Sequence, residues 1–137
     1  MKSAYPDNCI RGIRDAGFVE QGRVTSLAFL PNYKTKDRRE DQGYETSINW
    51  EDHDQVIKFT LKQSTGQFGA LRLPRKSIES LNEKPLMGRC LKYEREPVKG
   101  NIHHGNIVFI GCLSPGVVRT ISAVLAVEVT HVILPKE

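Results

Sequence analysis

The patterning of this chain predicts an α+β domain: a small mixed or antiparallel sheet, two or three helices and a buried C-terminal helix. Three observations carry the expectation. The 137 residues match the commonest size of one domain, so a single domain over 1–137 is expected. Strand-like and helix-like segments alternate with no internal repeat. A continuous apolar run, Ile107 to Ile110, is followed by apolar residues that recur every three or four positions.

Taken in order, Cys9 to Ile13 is weakly patterned and reads as a short strand or a helical turn. The β-branched and aromatic residues of GRVTSLAFLP, residues 22–31, favour a strand. Residues 32–43 set Lys34, Lys36, Arg38 and Arg39 against Asp37, Glu40 and Asp41 without apolar periodicity, which predicts an exposed charged loop suited to anionic contacts. A short strand through Ile48 then feeds a helix. Asp52 is expected to cap its free N–H groups, Asp54 to sit at the positive end of its dipole, and Gly66 to end it.

FGALRLP, residues 68–74, reads as a strand, and RKSIESLN, residues 75–82, as one or two helical turns with Ile78 and Leu81 together. In residues 88–97 the alternation places Leu91 and Tyr93 on one face of a strand and Lys92 and Glu94 on the other. Ile107 to Ile110 has the character of a strand covered on both sides. Ser114 as hydroxyl cap and Pro115 at the first helical position start the last helix. Its many β-branched residues lower helix propensity, so residues 127–134 suit either the end of that helix or a further strand.

The charge balance is mildly basic: 20 Lys and Arg stand against 16 Asp and Glu, for a net +4, with the signs interspersed. That describes a mixed solvated surface more than a nucleic-acid face, on which positive charge is usually concentrated. Cys9, Cys90 and Cys112 form no Cys-x-x-Cys and sit at no zinc-like interval from a histidine, so free thiols in a reducing, cytoplasmic setting are expected. No apolar core follows Lys2, and the most apolar region is broken by Ser114-Pro115-Gly116, Arg119 and Glu128, so neither a signal peptide nor a membrane span is predicted. Phosphate-binding glycine motifs are missing, and neither a cofactor nor a metal is expected.

The segment richest in chemistry is NIHHGNIVFIG, residues 101–111. Adjacent strand residues point to opposite faces, so His103 and His104 are poorly placed to share one metal. A compact corner is expected instead, turned at Gly105 and stabilised by the His103, His104 and Asn106 side chains, with binding as the second reading. Glu94 and Glu96 share a strand face, where Arg95 and Lys99 are expected to pair with them. Arg11, Arg14, Arg23, residues 34–39, Arg72, Arg75 and Lys76 are the pieces from which a nucleic-acid patch would have to be built, with Tyr5, Tyr33, Tyr44 and Trp50 for stacking.

Gly22, Arg23, Ser26 and Phe29, followed by Pro97, Asn101, His104, Gly105 and Ile107, give a pattern that resembles a group of small, uncharacterised bacterial proteins. The resemblance implies a bacterial cytosolic origin and no particular activity. It picks out Arg23, Ser26 and His104 as a shared surface and as the candidate catalytic residues, should the protein be an enzyme acting on a phosphorylated or nucleotide substrate.

The first expectation for function is a non-enzymatic module that docks a larger protein, with an accessory or immunity-type role in a defence or toxin system as one setting. Nucleic-acid binding is the second. The candidate binding residues are Arg23, Lys34, Lys36, Arg38, Arg39, His103, His104 and Asn106.

Overall fold

The structure, a computed structural model, describes residues 5–31, 44–63, 66–83, 91–110 and 115–135. The charged segment 32–43, Cys90, Cys112 and the expected cap Ser114 lie outside them. The protein is α+β: three helices, a six-stranded antiparallel sheet and a separate two-stranded hairpin.

The strands are β1 (Asn8–Gly12), β2 (Val19–Glu20), β3 (Arg23–Val24), β4 (Tyr44–Trp50), β5 (Ala70–Pro74), β6 (Leu91–Arg95), β7 (His104–Phe109) and β8 (His131–Ile133). The helices are α1 (Val56–Lys62), α2 (Arg75–Asn82) and α3 (Pro115–Glu128). The main sheet runs β6-β7-β4-β1-β5-β8, and β2 pairs with β3.

Period-two alternation sorts each strand between two faces. Cys9, Ile48, Trp50, Leu71, Leu73, Leu91, Ile107 and Phe109 meet Phe29, Ile78, Leu81, Val118, Ile121 and Leu125 in the main core. The helices on this first face are α2 and α3, which carry the chain from one side of the sheet to the other. On the second face Ile10, Val56 and Ala70 pack with Ile57 and Leu61 under α1, which lies over β1, β4 and β5. Among the described residues no helix packs over the β6–β7 part of that second face.

Several expectations need correction. Residues 22–31 do not form one strand: Arg23–Val24 pair in a hairpin, and Ser26–Phe29 form a 3-10 turn that packs beneath α3. Phe29 is wholly buried there, so the aromatic content reflects burial more than strand pairing. Asp52 does not cap α1: Gln55 occupies that position with no side-chain cap bond, while Asp52 pairs with Arg95 and His103. Gly105 turns nothing, since it lies inside β7 with no positive φ. A Cβ there would collide with the indole of Trp50 and the Glu94 carbonyl, so close approach explains the glycine. Finally, α3 ends at Glu128 and β8 follows, which resolves residues 127–134 into a helix end and a strand.

Candidate functional site

β1 and β4 pair only at Cys9–Trp50 and Ile10–Asn49. Beyond that point β1 runs on with β5 as far as Gly12–Ala70, and β4 with β7 as far as Tyr44–Phe109. The two strands therefore part in the middle of the sheet. Continuing their register would set Gly12 opposite Ser47, and the Ser47 carbonyl would receive a backbone N–H. Arg11 supplies the donor instead: its Nη1 donates to Ser47 O at 2.8 Å and its Nε to Ala28 O at 2.9 Å.

Alternation along β1 places Arg11 with Cys9 and Ile13 on the core side, and the residue keeps only 7% of its surface exposed. Among the described residues no carboxylate pairs with it. Burial, with the charge of Arg14 adding to it, pulls the guanidinium down to about 10, which still leaves it charged at neutral pH. Carbonyl dipoles and the Phe18 ring, 5.6 Å away, are its compensation.

A cleft of about 380 Å³ opens where the strands separate. Arg11, Arg14 and Lys99 bring positive charge to it, Asn49, Gln63 and Asn101 bring amides, and Glu45 and His104 complete its polar wall. The amides are already organised. Asn101 Nδ2 donates to Asn49 Oδ1 at 2.8 Å, Asn49 Nδ2 donates to Thr60 Oγ1 at 2.8 Å and to Gln63 Oε1 at 3.1 Å, and Asn101 Oδ1 accepts from His103 N at 2.9 Å. This chain fixes α1 and the 97–103 loop to the sheet. Each member loses a partner if its neighbour is removed, so the wall is stiff.

The two adjacent histidines enter different surroundings. His103 is buried, donates from Nδ1 to Asp52 Oδ2 at 3.2 Å and packs edge-on against Phe59 and His53. His104 lines the cleft and donates from Nδ1 to the Glu96 carbonyl at 3.0 Å, which leaves Nε2 as the ring nitrogen available to a ligand. Of the expected catalytic set, Arg23 and Ser26 do not line this cleft: Arg23 lies exposed in the β2–β3 hairpin, and Ser26 opens the 3-10 turn under α3. The cleft thus brings His104 together with neither Arg23 nor Ser26.

Beside the cleft, register builds a polar block. Glu94 lies across from Asn106 on one side and Ser47 across from it on the other, with His104 and Glu45 one step along. Glu45, Glu94 and Glu96 bring carboxylate oxygens within 4.8 Å of one another. The expected sharing of a side by Glu94 and Glu96 is present, while Arg95 pairs with Asp52 and Lys99 lines the cleft. Asn106 is fully buried, and its Nδ2 donates to Glu94 Oε2 at 2.9 Å.

The basic residues considered for nucleic acid are divided. Arg72 forms a two-pronged bond to Glu51 at 2.9 and 2.8 Å, Arg75 pairs with Glu79, and Arg11 points inward. Lys34, Lys36, Arg38 and Arg39 lie outside the described residues. A second, shallower depression holds Asp7, Glu51, Asp52, Asp54, His53 and Arg95, where Arg95 and Arg72 already face the acids. No helix among the described residues is long and apolar enough to cross a membrane.

Comparison with protein-family models, with curated proteins and with solved structures finds no match.

Proposed function

We propose that the protein is a non-enzymatic docking module of the bacterial cytoplasm that receives an acidic side chain of a larger protein in the cleft between β1 and β4. The observation that carries this reading is Arg11: a buried guanidinium lining a cleft, held by two carbonyls and matched by no carboxylate among the described residues. A visiting carboxylate would gain charge-assisted hydrogen bonds in a partly desolvated site, where such bonds are about twice as strong as neutral ones. Arg14 and Lys99 at the same cleft would draw it in.

The rim supports a macromolecule over a free ion. Val98 lines the cleft and is 45% exposed, and Ile102 just beyond it is 73% exposed. Exposed apolar side chains of that size suit burial at the centre of a protein contact. A role as an accessory or immunity-type protein fits such a module.

Calorimetric titration with a glutamate-rich peptide tests the reading. Saturable binding that weakens as salt rises, and is lost in Lys99→Glu with the fold intact, is the expected result. Equal affinity for citrate or inorganic phosphate would transfer the site to small anions, and no binding of any of them would overturn the reading. An RNA oligonucleotide that binds more tightly than the peptide would favour the nucleic-acid alternative.

A further inference from the structure

We propose that Glu45, Glu94, Glu96 and Asn106 form a binding site for one calcium-class divalent cation. The inference goes beyond the docking role and does not depend on what the cleft receives. Two observations meet at this place. Three carboxylates, from β4, β6 and the residue after β6, converge to within 4.8 Å of one another. Between those strands, on β7, the wholly buried Asn106 ends against Glu94 through its Nδ2, while its Oδ1 has no hydrogen-bond partner among the described residues.

A buried amide oxygen without a donor is rare, because leaving it so costs roughly 1–3 kcal/mol. A cation satisfies it directly. The donor set is oxygen throughout: three carboxylates and one amide carbonyl, the ligands of hard cations. Calcium takes many oxygen ligands in flexible geometry, whereas magnesium keeps several waters and is usually held by one or two carboxylates, so a set of three carboxylates and an amide suits calcium better.

Each carboxylate offers about four lone-pair sites, so an oxygen engaged elsewhere leaves others for the ion. The strand positions give the site its rigidity. Glu94 and Asn106 are direct partners in the β6–β7 ladder, and Glu45 lies two pairs further on along β4–β7, on the same side of the sheet. His104 stands at the border, its Nδ1 3.6 Å from Glu96 Oε1. Because that nitrogen donates to the Glu96 main chain, the ring steadies the carboxylate and is not counted as a ligand.

The experiment is a calcium titration of the full chain, read by calorimetry and by the amide resonances of His104 and Asn106. The expected result is saturable 1:1 binding with a dissociation constant at or below about 1 mM, with magnesium at least about tenfold weaker. Glu96→Gln, at an exposed position, weakens calcium at least about tenfold with an unchanged circular dichroism spectrum. Glu94→Gln does the same and serves as a second, independent variant. The proposal fails if calcium up to about 10 mM moves neither signal, or if both variants bind it as tightly as the unaltered protein.

Discussion

Arg11 Nη1 lies 2.8 Å from the carbonyl oxygen of Ser47, in the position a backbone N–H of β1 would fill if the β1–β4 ladder continued. One side chain thus closes a gap in the middle of the sheet and places a positive charge at the wall of a cleft. Arg11→Met keeps the length of the side chain but leaves the Ser47 and Ala28 carbonyls without their donors. Relief of the buried charge offsets part of that loss. The expected net effect is about 1–3 kcal/mol of stability in urea unfolding, with loss of peptide affinity. Arg14→Glu, at an exposed site, leaves stability within about 0.5 kcal/mol and still abolishes binding.

The Asn101–Asn49–Thr60 chain predicts strong non-additivity. Asn101→Ala or Asn49→Ala strands a buried amide, at about 1–3 kcal/mol each. The double variant costs less than the sum, because the second change removes a group already without its partner. A double-mutant cycle returns a coupling of about 1 kcal/mol or more. Additivity would show that the two amides act separately.

Trp50 and Gly105 are matched in shape across β4 and β7. The indole N–H donates to the Glu94 carbonyl at 3.0 Å by passing over Gly105, where a Cβ has no room. Gly105→Ala therefore displaces the indole, which is wholly buried among Tyr5 and Tyr93. The expected outcome is a loss of about 3 kcal/mol or more and red-shifted tryptophan fluorescence. Gly100→Ala, where φ is +86° and nothing stands within 4 Å, shows strain without a clash and a smaller loss of about 1 kcal/mol.

Cys9 predicts an alkaline weakness. Burial raises its thiol from 9.0 to about 12, so between those values the folded state holds a proton that the unfolded state has released. Stability from this group is therefore complete below pH 9 and falls by about 1.4 kcal/mol per pH unit up to about pH 12. Arg11 acts in the opposite sense. Its folded value of about 10 lies below the ordinary arginine value, so above that pH the unfolded state binds more protons and stability rises with pH. The difference between the unaltered protein and Cys9→Ala, measured by urea unfolding from pH 8 to 11, reports the thiol together with its charge coupling to Arg11, the rest of the arginine contribution being common to both. A flat difference would contradict the assignment.

Period and composition made much of the fold legible. The strand at Leu91–Arg95, the helix RKSIESLN and the helix starting at Pro115 follow from alternation, from i to i+3 spacing and from proline at the first turn. Residues 26–29 misled because Phe29 and Ala28 carry the composition of a strand while tertiary packing under α3 selects a 3-10 turn. Gly105 misled because a glycine demanded by a neighbouring indole looks the same in sequence as one demanded by a turn.

The site was legible only in part. His104 and the shared side of Glu94 and Glu96 follow from strand alternation. Arg11 carried a signal too, since period two puts it with Cys9 and Ile13 on the core side, where a charge is anomalous. Glu45 carried none: its place beside Glu94 is fixed by the β4–β7 register, a long-range pairing that no local pattern encodes.

Whether the split between β1 and β4 receives an acidic side chain is read most directly from a map of amide chemical-shift changes on titrating the glutamate-rich peptide. The expected changes are concentrated at Arg11, Arg14, Asn49, Gln63, Lys99, Asn101 and His104, growing with peptide and fading with salt. Changes confined to the β8 edge, around Val132 and Leu134, or no changes at all, would contradict it.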